Sequence, residues 1–275
     1  MDLSIIKQHK IWSDAFVYIT EVSSSNSLPY HNIKHVLDVF KNCYNLSFYE
    51  EVSDKSVVEL GLAALFHDFN HSGGQLADSQ NIINALLALD GFFITHPVYN
   101  KEVDKVSISN IIKATQYPYV ISDDVLSIEQ KIIRDADLLQ TFEEDWITMI
   151  MFGLRKEMKK SMVEMIKIQV GFLENMKFYT KWANEKYEAL KSKNLTDIQH
   201  LQSFYQNEEK KFSFLVKVED INPIKDLSPM NLSNDIWSVF INEQLSIDEI
   251  SKLLKEKGLN NFEIKLNDSS KVKEA

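Results

Sequence analysis

Apolar side chains recur at helical spacing through most of the chain. Ile5, Ile6, Trp12, Phe16 and Ile19 mark a first helix over residues 4–21. A polar loop of Ser and Asn follows and is closed by Pro29. Ile33, Val36, Leu37 and Phe40 then predict a helix from about His31 to Asn42. The run from Val57 to Phe66 predicts a largely buried helix over residues 55–71, stopped by Gly73-Gly74. Further helices are predicted over 77–90, 100–116, 125–140, 143–167, 169–192 and 196–210. After residue 210 the period changes. Phe212–Val218, Ile236–Ile241 and Phe262–Leu266 read as strands, and Ser246–Lys257 as a capped amphipathic helix ending at Gly258. The expected fold is therefore mostly α: a helical domain over residues 1–209 and a small α+β appendage over 210–275.

Composition supports long helices, because only 7 Gly and 5 Pro are available to punctuate 275 residues. The formal charge of −10 argues against a nucleic-acid binder that relies on phosphate contacts. An acidic protein that handles phosphates must neutralise them locally, which metal ions can do. The single cysteine, Cys43, leaves no disulfide within the chain. No apolar run approaches the roughly 18 residues a membrane span needs, and the stretch Met1–Lys7 lacks the apolar core of a signal peptide. The expectation is a soluble cytoplasmic protein without a membrane or nucleic-acid partner.

Four of the 7 histidines fall between residues 31 and 71, in two i, i+4 pairs, His31/His35 and His67/His71. On a helix each pair shares a face. Asp68 follows His67, and Asp135-Ala136-Asp137 closes another predicted helix. Imidazoles and carboxylates together make a mixed nitrogen and oxygen donor set suited to zinc, manganese or iron. If one Asp reaches a second ion, the set becomes a two-metal site that supplies a nucleophile and neutralises a phosphoryl group. His9, His96 and His200 are read as ordinary core or surface residues, and the methionines of 149–165 as adaptable packing.

With these residues in view, the chain resembles the class I cyclic-nucleotide phosphodiesterases, within the wider HD superfamily of metal-dependent phosphohydrolases. Pro29-Tyr30-His31-Asn32-Ile33-Lys34-His35 resembles their PYHNxxH segment, and His67-Asp68-Phe69-Asn70-His71-Ser72-Gly73 their HDxDHxG segment. Ala136-Asp137-Leu138 is similar to their ADLSNP segment, and Ile112-Lys113-Ala114-Thr115 to the helix ending in their metal-side threonine. Gln169-Val170-Gly171-Phe172-Leu173, followed by Trp182-Ala183, resembles the stretch that lines their base pocket. The likeness covers roughly residues 29–208. It implies that His35, His67, Asp68 and Asp137 hold a first metal, zinc in the family. Asp68 would bridge to a second, usually magnesium or manganese, and iron is an alternative. Thr115 and His71 would hold metal-bound water, and His31 would be the general acid. Tyr30, Gln140, Gln169 and Phe172 would line the substrate pocket, with Gln169 bonding the purine and Phe172 packing on its face.

The implied activity is hydrolysis of a 3′,5′-cyclic nucleotide, cAMP or cGMP, to the 5′-monophosphate. Three departures widen the choice of substrate. An acidic residue of the family falls within Ile82-Ile83-Asn84-Ala85, the Asn-Pro after Asp137-Leu138 is missing, and Glu143, Glu144 and Glu157 all lie out of register with the glutamate that orients the acid. The alternatives are hydrolysis of another nucleotide or oligonucleotide phosphoester, a di-iron oxygenase, and a non-catalytic nucleotide sensor. Residues 210–275 have no place in the family's catalytic core and are left for self-association or a partner protein.

Overall fold

The computed structural model describes residues 3–206, 212–227, 229–233, 236–241 and 243–266. The expected boundary at 209–210 lies outside these residues. The chain separates into two compact units. One comprises Met1–Glu143, Lys156–Met158 and Met176–Leu190, and the other Glu144–Arg155, Lys159–Asn175 and Lys191–Ala275.

The first unit is a helical bundle. Its helices are α1 (Lys10–Val22), α2 (Ile33–Tyr49), α3 (Asp54–Phe66), α4 (Asp78–Thr95), α5 (Lys105–Lys113) and α6 (Ile128–Leu138). α2 and α3 pack side by side, with α6 against α2, and α1 and α5 against α3. Side chains fix the helix starts. Asn32 caps α2 by accepting from the amides of Lys34 and His35, Ser53 caps α3, and Ser127 with Gln130 forms a capping box on α6. From Glu59 to Phe66 α3 is buried on every side, so its apolar run has no polar face there. Trp12 is fully buried and donates its indole N–H to Val58 O (3.0 Å), lying directly over Gly61. Tyr18, Phe66, Phe69 and Phe92 form a neighbouring aromatic cluster.

The second unit contains a π-helix (Ile147–Leu154), α8 (Met162–Asn175) and the later part of α9 (Lys181–Gln206); of the single turn α7 (Arg155–Glu157), Arg155 belongs to this unit and Lys156 and Glu157 to the first. It also holds a four-stranded antiparallel sheet, β1 (Phe212–Lys217), β2 (Met230–Ser233), β3 (Ile236–Ile241) and β4 (Glu263–Leu266), in the order β2-β3-β1-β4. Phe214 and Val216 of β1, Val239 of β3, and Ile250 and Leu254 of α10 (Ile247–Glu256) share one small core. Period-2 alternation on the strands and helical spacing on α10 thus point at the same interior. The chain is mostly α with a small C-terminal α+β portion, as its pattern predicts.

Several boundaries move. The helix expected over 55–71 ends at Phe66, and Asn70 takes a positive φ of 52° that a helix cannot hold. The helix expected from His31 starts at Ile33. The single helix expected over 143–167 is broken at Lys159, which has φ 53°. The break expected near residue 195 is absent, and α8 and α9 part instead at 176–180. There the amides of Tyr179 and Thr180 turn to the buried Asp135 carboxylate, at 3.0 and 2.7 Å. β2 was not expected. It has four residues and a register irregularity between Asn231 and Ser233, too short for alternation to show.

Candidate metal centre

Packing of α2, α3 and α6 brings four donors to one point in the first unit. His35 stands on the first turn of α2, His67 caps the C-terminus of α3, Asp68 follows it, and Asp137 lies in the last turn of α6. His35 Nε2 is 3.1 Å from Asp68 Oδ2, 3.2 Å from Asp137 Oδ1 and 3.4 Å from His67 Nε2. His67 Nε2 is 3.2 Å from Asp68 Oδ2 and 3.9 Å from Asp137 Oδ1. Ligands at about 2.0–2.2 Å from one cation lie roughly 3.3–3.6 Å apart in a tetrahedron and roughly 2.8–3.1 Å apart along octahedral edges. The spacing of His35, His67 and Asp68 falls close to these edges, and Asp137 stands 3.2 Å from His35 and farther, 3.9 Å, from His67.

The protonation pattern fits too. His67 Nδ1 lies 2.8 Å from Ala64 O, which can only accept, so Nδ1 carries the proton and Nε2 presents its lone pair to the centre. His35 Nε2 faces two carboxylates and a second imidazole. Burial works against a charge on His35, but its bonds to Asp137 and Asp68 prevail and push its pKa up to about 10. Burial likewise opposes ionisation of Asp68, yet the charges of His67 and His31 and the His35 contact hold it well below the usual carboxylate range. The pocket thus favours positive charge, and a cation would compete with the His35 proton.

A second cluster adjoins the first. His31 Nδ1 is 2.5 Å from Glu157 Oε2. Glu157 Oε1 accepts from the amides of Tyr30 (2.5 Å) and His31 (3.0 Å). The carboxylate therefore fixes both the ring and the backbone behind it. With Nδ1–H given to Glu157, His31 Nε2 is left to act. Burial lowers the His31 pKa below its ordinary value, against the pull of Asp68 and Glu157. His71 stacks on His31 with ring centroids 3.5 Å apart. Its Nδ1 accepts from the Gly73 amide (3.1 Å), so Nε2 is the protonated nitrogen, facing Asp78 Oδ1 at 3.8 Å. Gly73 and Gly74 both take positive φ in this turn, and a Cβ on Gly74 would come within 3.4 Å of Glu157 O.

The i, i+4 geometry expected of the two histidine pairs is not what brings them together. His31 precedes the Asn32 cap and His71 follows the Asn70 turn, so neither shares a helix with its partner. Tyr30 packs its ring on His35 at 4.7 Å. Thr115 is buried at the end of α5, and its hydroxyl donates to Ile112 O at 2.8 Å. Gln140 is buried just after α6, in the first unit. Gln169, buried, and Phe172, half-buried, belong to α8 of the second unit.

No protein-family model matches the chain, and no curated protein matches it. Among solved structures, it is similar to a predicted HD superfamily hydrolase from an uncultured Thermotogales bacterium. The TM-score is 0.48 and the identity 18%, with 74% of this chain and 99% of that chain covered. Among the described residues no helix is long and apolar enough to cross a membrane.

Two residues complete the picture beyond those the sequence singled out. Of Glu143, Glu144 and Glu157, the fold selects Glu157 as the partner of His31. Asp78 was not anticipated. It begins α4, takes the Tyr117 amide (2.6 Å) and faces His71, and no local pattern marks that role.

Proposed function

We propose that the protein is a metal-dependent phosphohydrolase of the HD type, and that its substrate is a 3′,5′-cyclic nucleotide. The observation that carries the first part is the convergence of His35, His67 and Asp68, whose donor atoms all lie within 4.8 Å of one another, with Asp137 reaching both imidazoles at 3.2 and 3.9 Å. These residues would hold the ion, and the mixed donors suit zinc, manganese or iron. Asp68, with an oxygen free to bridge, would share a second ion such as magnesium or manganese. Bound divalent cations supply an activated hydroxide and offset charge on the phosphoryl group.

The protein's own residues do the rest. Glu157 holds the Nδ1 proton of His31, so Nε2 is the atom that delivers a proton to the departing oxygen, O3′ in a cyclic nucleotide. Burial lowers the pKa of that imidazole, and the negative charge of a phosphoester beside it favours protonation. His71, stacked on His31 and directed at Asp78, limits the rotation of the acid. The choice of a cyclic nucleotide rests on the Gln169–Leu173 stretch. In this reading Gln169 bonds the base, and its buried Oε1 has no hydrogen-bond partner among the described residues.

A second reading is hydrolysis of a different phosphoester by the same centre. It is favoured by Asn84, which falls in the stretch where the family has an acid, and whose amide donates to Asn70 O at 3.3 Å. Purified protein incubated with cAMP, cGMP and noncyclic phosphodiesters under Mn²⁺ or Mg²⁺ separates the two. Turnover of a cyclic nucleotide that is abolished by His67→Ala supports the first reading. Turnover of noncyclic esters alone supports the second.

A further inference from the structure

The segment that joins α5 to α6 is tied down at both ends. Near its start, Tyr117 N donates to Asp78 Oδ2, and the other oxygen of Asp78 faces His71. Near its end, the buried Arg134 of α6 donates to Ile121 O (3.0 Å) and Asp123 Oδ1 (3.3 Å), while its Nε bonds Ala114 O (2.8 Å). Asp123 also takes Lys177 at 2.6 Å and the Tyr179 hydroxyl at 2.5 Å.

Tyr119 stands between these anchors. Its ring lies on the Arg134 guanidinium, with Cζ 3.9 Å from the ring centroid. Arg134 and Asp137 are three residues apart on α6 and share a face, so a ring on the first is carried alongside the second. The Asp137 carboxylate is the largest charge acting on the Tyr119 hydroxyl, ahead of Arg134 itself. Burial and that carboxylate keep the phenol in its protonated, hydrogen-donating form. No described residue accepts from that hydroxyl. The side chain of Asp137 is also the most open of the four proposed ligands, 29% exposed against 1% for His35 and His67 and 13% for Asp68, so the centre is most accessible at Asp137.

We propose that Tyr119 is a substrate-binding residue of this centre, its phenol donating a hydrogen bond to a non-bridging phosphate oxygen of the bound phosphoester. The inference rests on the phosphohydrolase reading above. The chemistry fits a site crowded with Asp68, Asp137 and Glu157. A neutral donor attracts an anionic ester without adding negative charge. The stacked ring and the tethered backbone hold it ready, so little freedom is lost on binding.

The test uses the full chain with Mn²⁺ and two substrates, cAMP and the base-free diester bis(p-nitrophenyl) phosphate. Tyr119→Phe keeps the ring on Arg134 and removes only the hydroxyl. Bound manganese and the urea midpoint are measured beside the kinetics. The expected result is KM raised about tenfold on every substrate the wild type turns over, kcat within about twofold, and manganese content and midpoint unchanged. If the wild type turns over a substrate and Tyr119→Phe has the same kcat/KM, the inference fails and the phosphohydrolase reading stands. A fall in activity that follows loss of manganese also overturns it, because the residue would then be supporting the centre and not the substrate. If the wild type turns over neither substrate, the phosphohydrolase reading fails and the inference goes with it.

Discussion

Glu157 grips His31 across 126 residues of sequence, with Oε2 2.5 Å from Nδ1 and Oε1 on the amides of Tyr30 and His31. One carboxylate thereby sets the tautomer, the ring orientation and the backbone of the proposed acid. It reaches this place because α7 delivers it to the first unit, where it is buried.

Replacing Glu157 by Gln should separate that role from metal binding. Gln retains an acceptor for the two amides but turns an NH₂ toward Nδ1, which favours the tautomer that leaves no proton on Nδ1. We expect kcat to fall by about 10²-fold or more with little change in KM or bound metal. Steady-state kinetics with metal analysis on the same preparation check this. Unchanged kcat would remove Glu157 from the mechanism.

The four donors were legible in the sequence because histidine and aspartate in that combination have few uses besides metal binding. The geometry offered for them was only partly right. His35 does sit on a helix, but His31 and His71 reach the site from non-helical turns, one before Asn32 and one after Asn70. Glu157 was not legible, because its partner lies far off in sequence and it follows a π-helix that periodicity reads as ordinary helix. The break at 176–180 was hidden for a similar reason. Its backbone amides are satisfied by Asp135, a residue on another helix, while the apolar pattern runs on. Local pattern reports on burial, and these features depend on which distant group meets the backbone.

A pH effect follows from His35. Burial lowers its pKa, but Asp137 and Asp68 raise it further, to about 10. Its folded-state pKa thus lies above its ordinary value of 6.5. In metal-free protein the group contributes stability fully below the ordinary value and loses that contribution as pH rises toward the folded one. A divalent cation needs Nε2 unprotonated, so it must displace that proton. The rise in Tm produced by Mn²⁺ should therefore grow between about pH 6 and pH 8.5. Thermal melts with and without the ion measure it. A rise in Tm that does not change with pH would contradict the account.

The centre of the bundle should be intolerant at Gly61. A Cβ there would lie 2.5 Å from Trp12 Nε1 and 2.6 Å from Cε2, too close for any rotamer of an indole already fixed by its bond to Val58 O. Gly61→Ala should cost about 1–3 kcal/mol, the range for overpacking a full core. Urea unfolding measures this directly. A loss below about 0.5 kcal/mol, the size of an ordinary surface substitution, would show that Trp12 can move.

The central claim is that His35, His67, Asp68 and Asp137 form one divalent-metal site. A Mn²⁺ binding isotherm by calorimetry, run on the wild type and on His67→Ala above neutral pH, tests it most directly. The account predicts saturable binding by the wild type and loss of that binding in the variant, with both proteins folded by circular dichroism. Identical isotherms for the two proteins, or no binding by either, would contradict it.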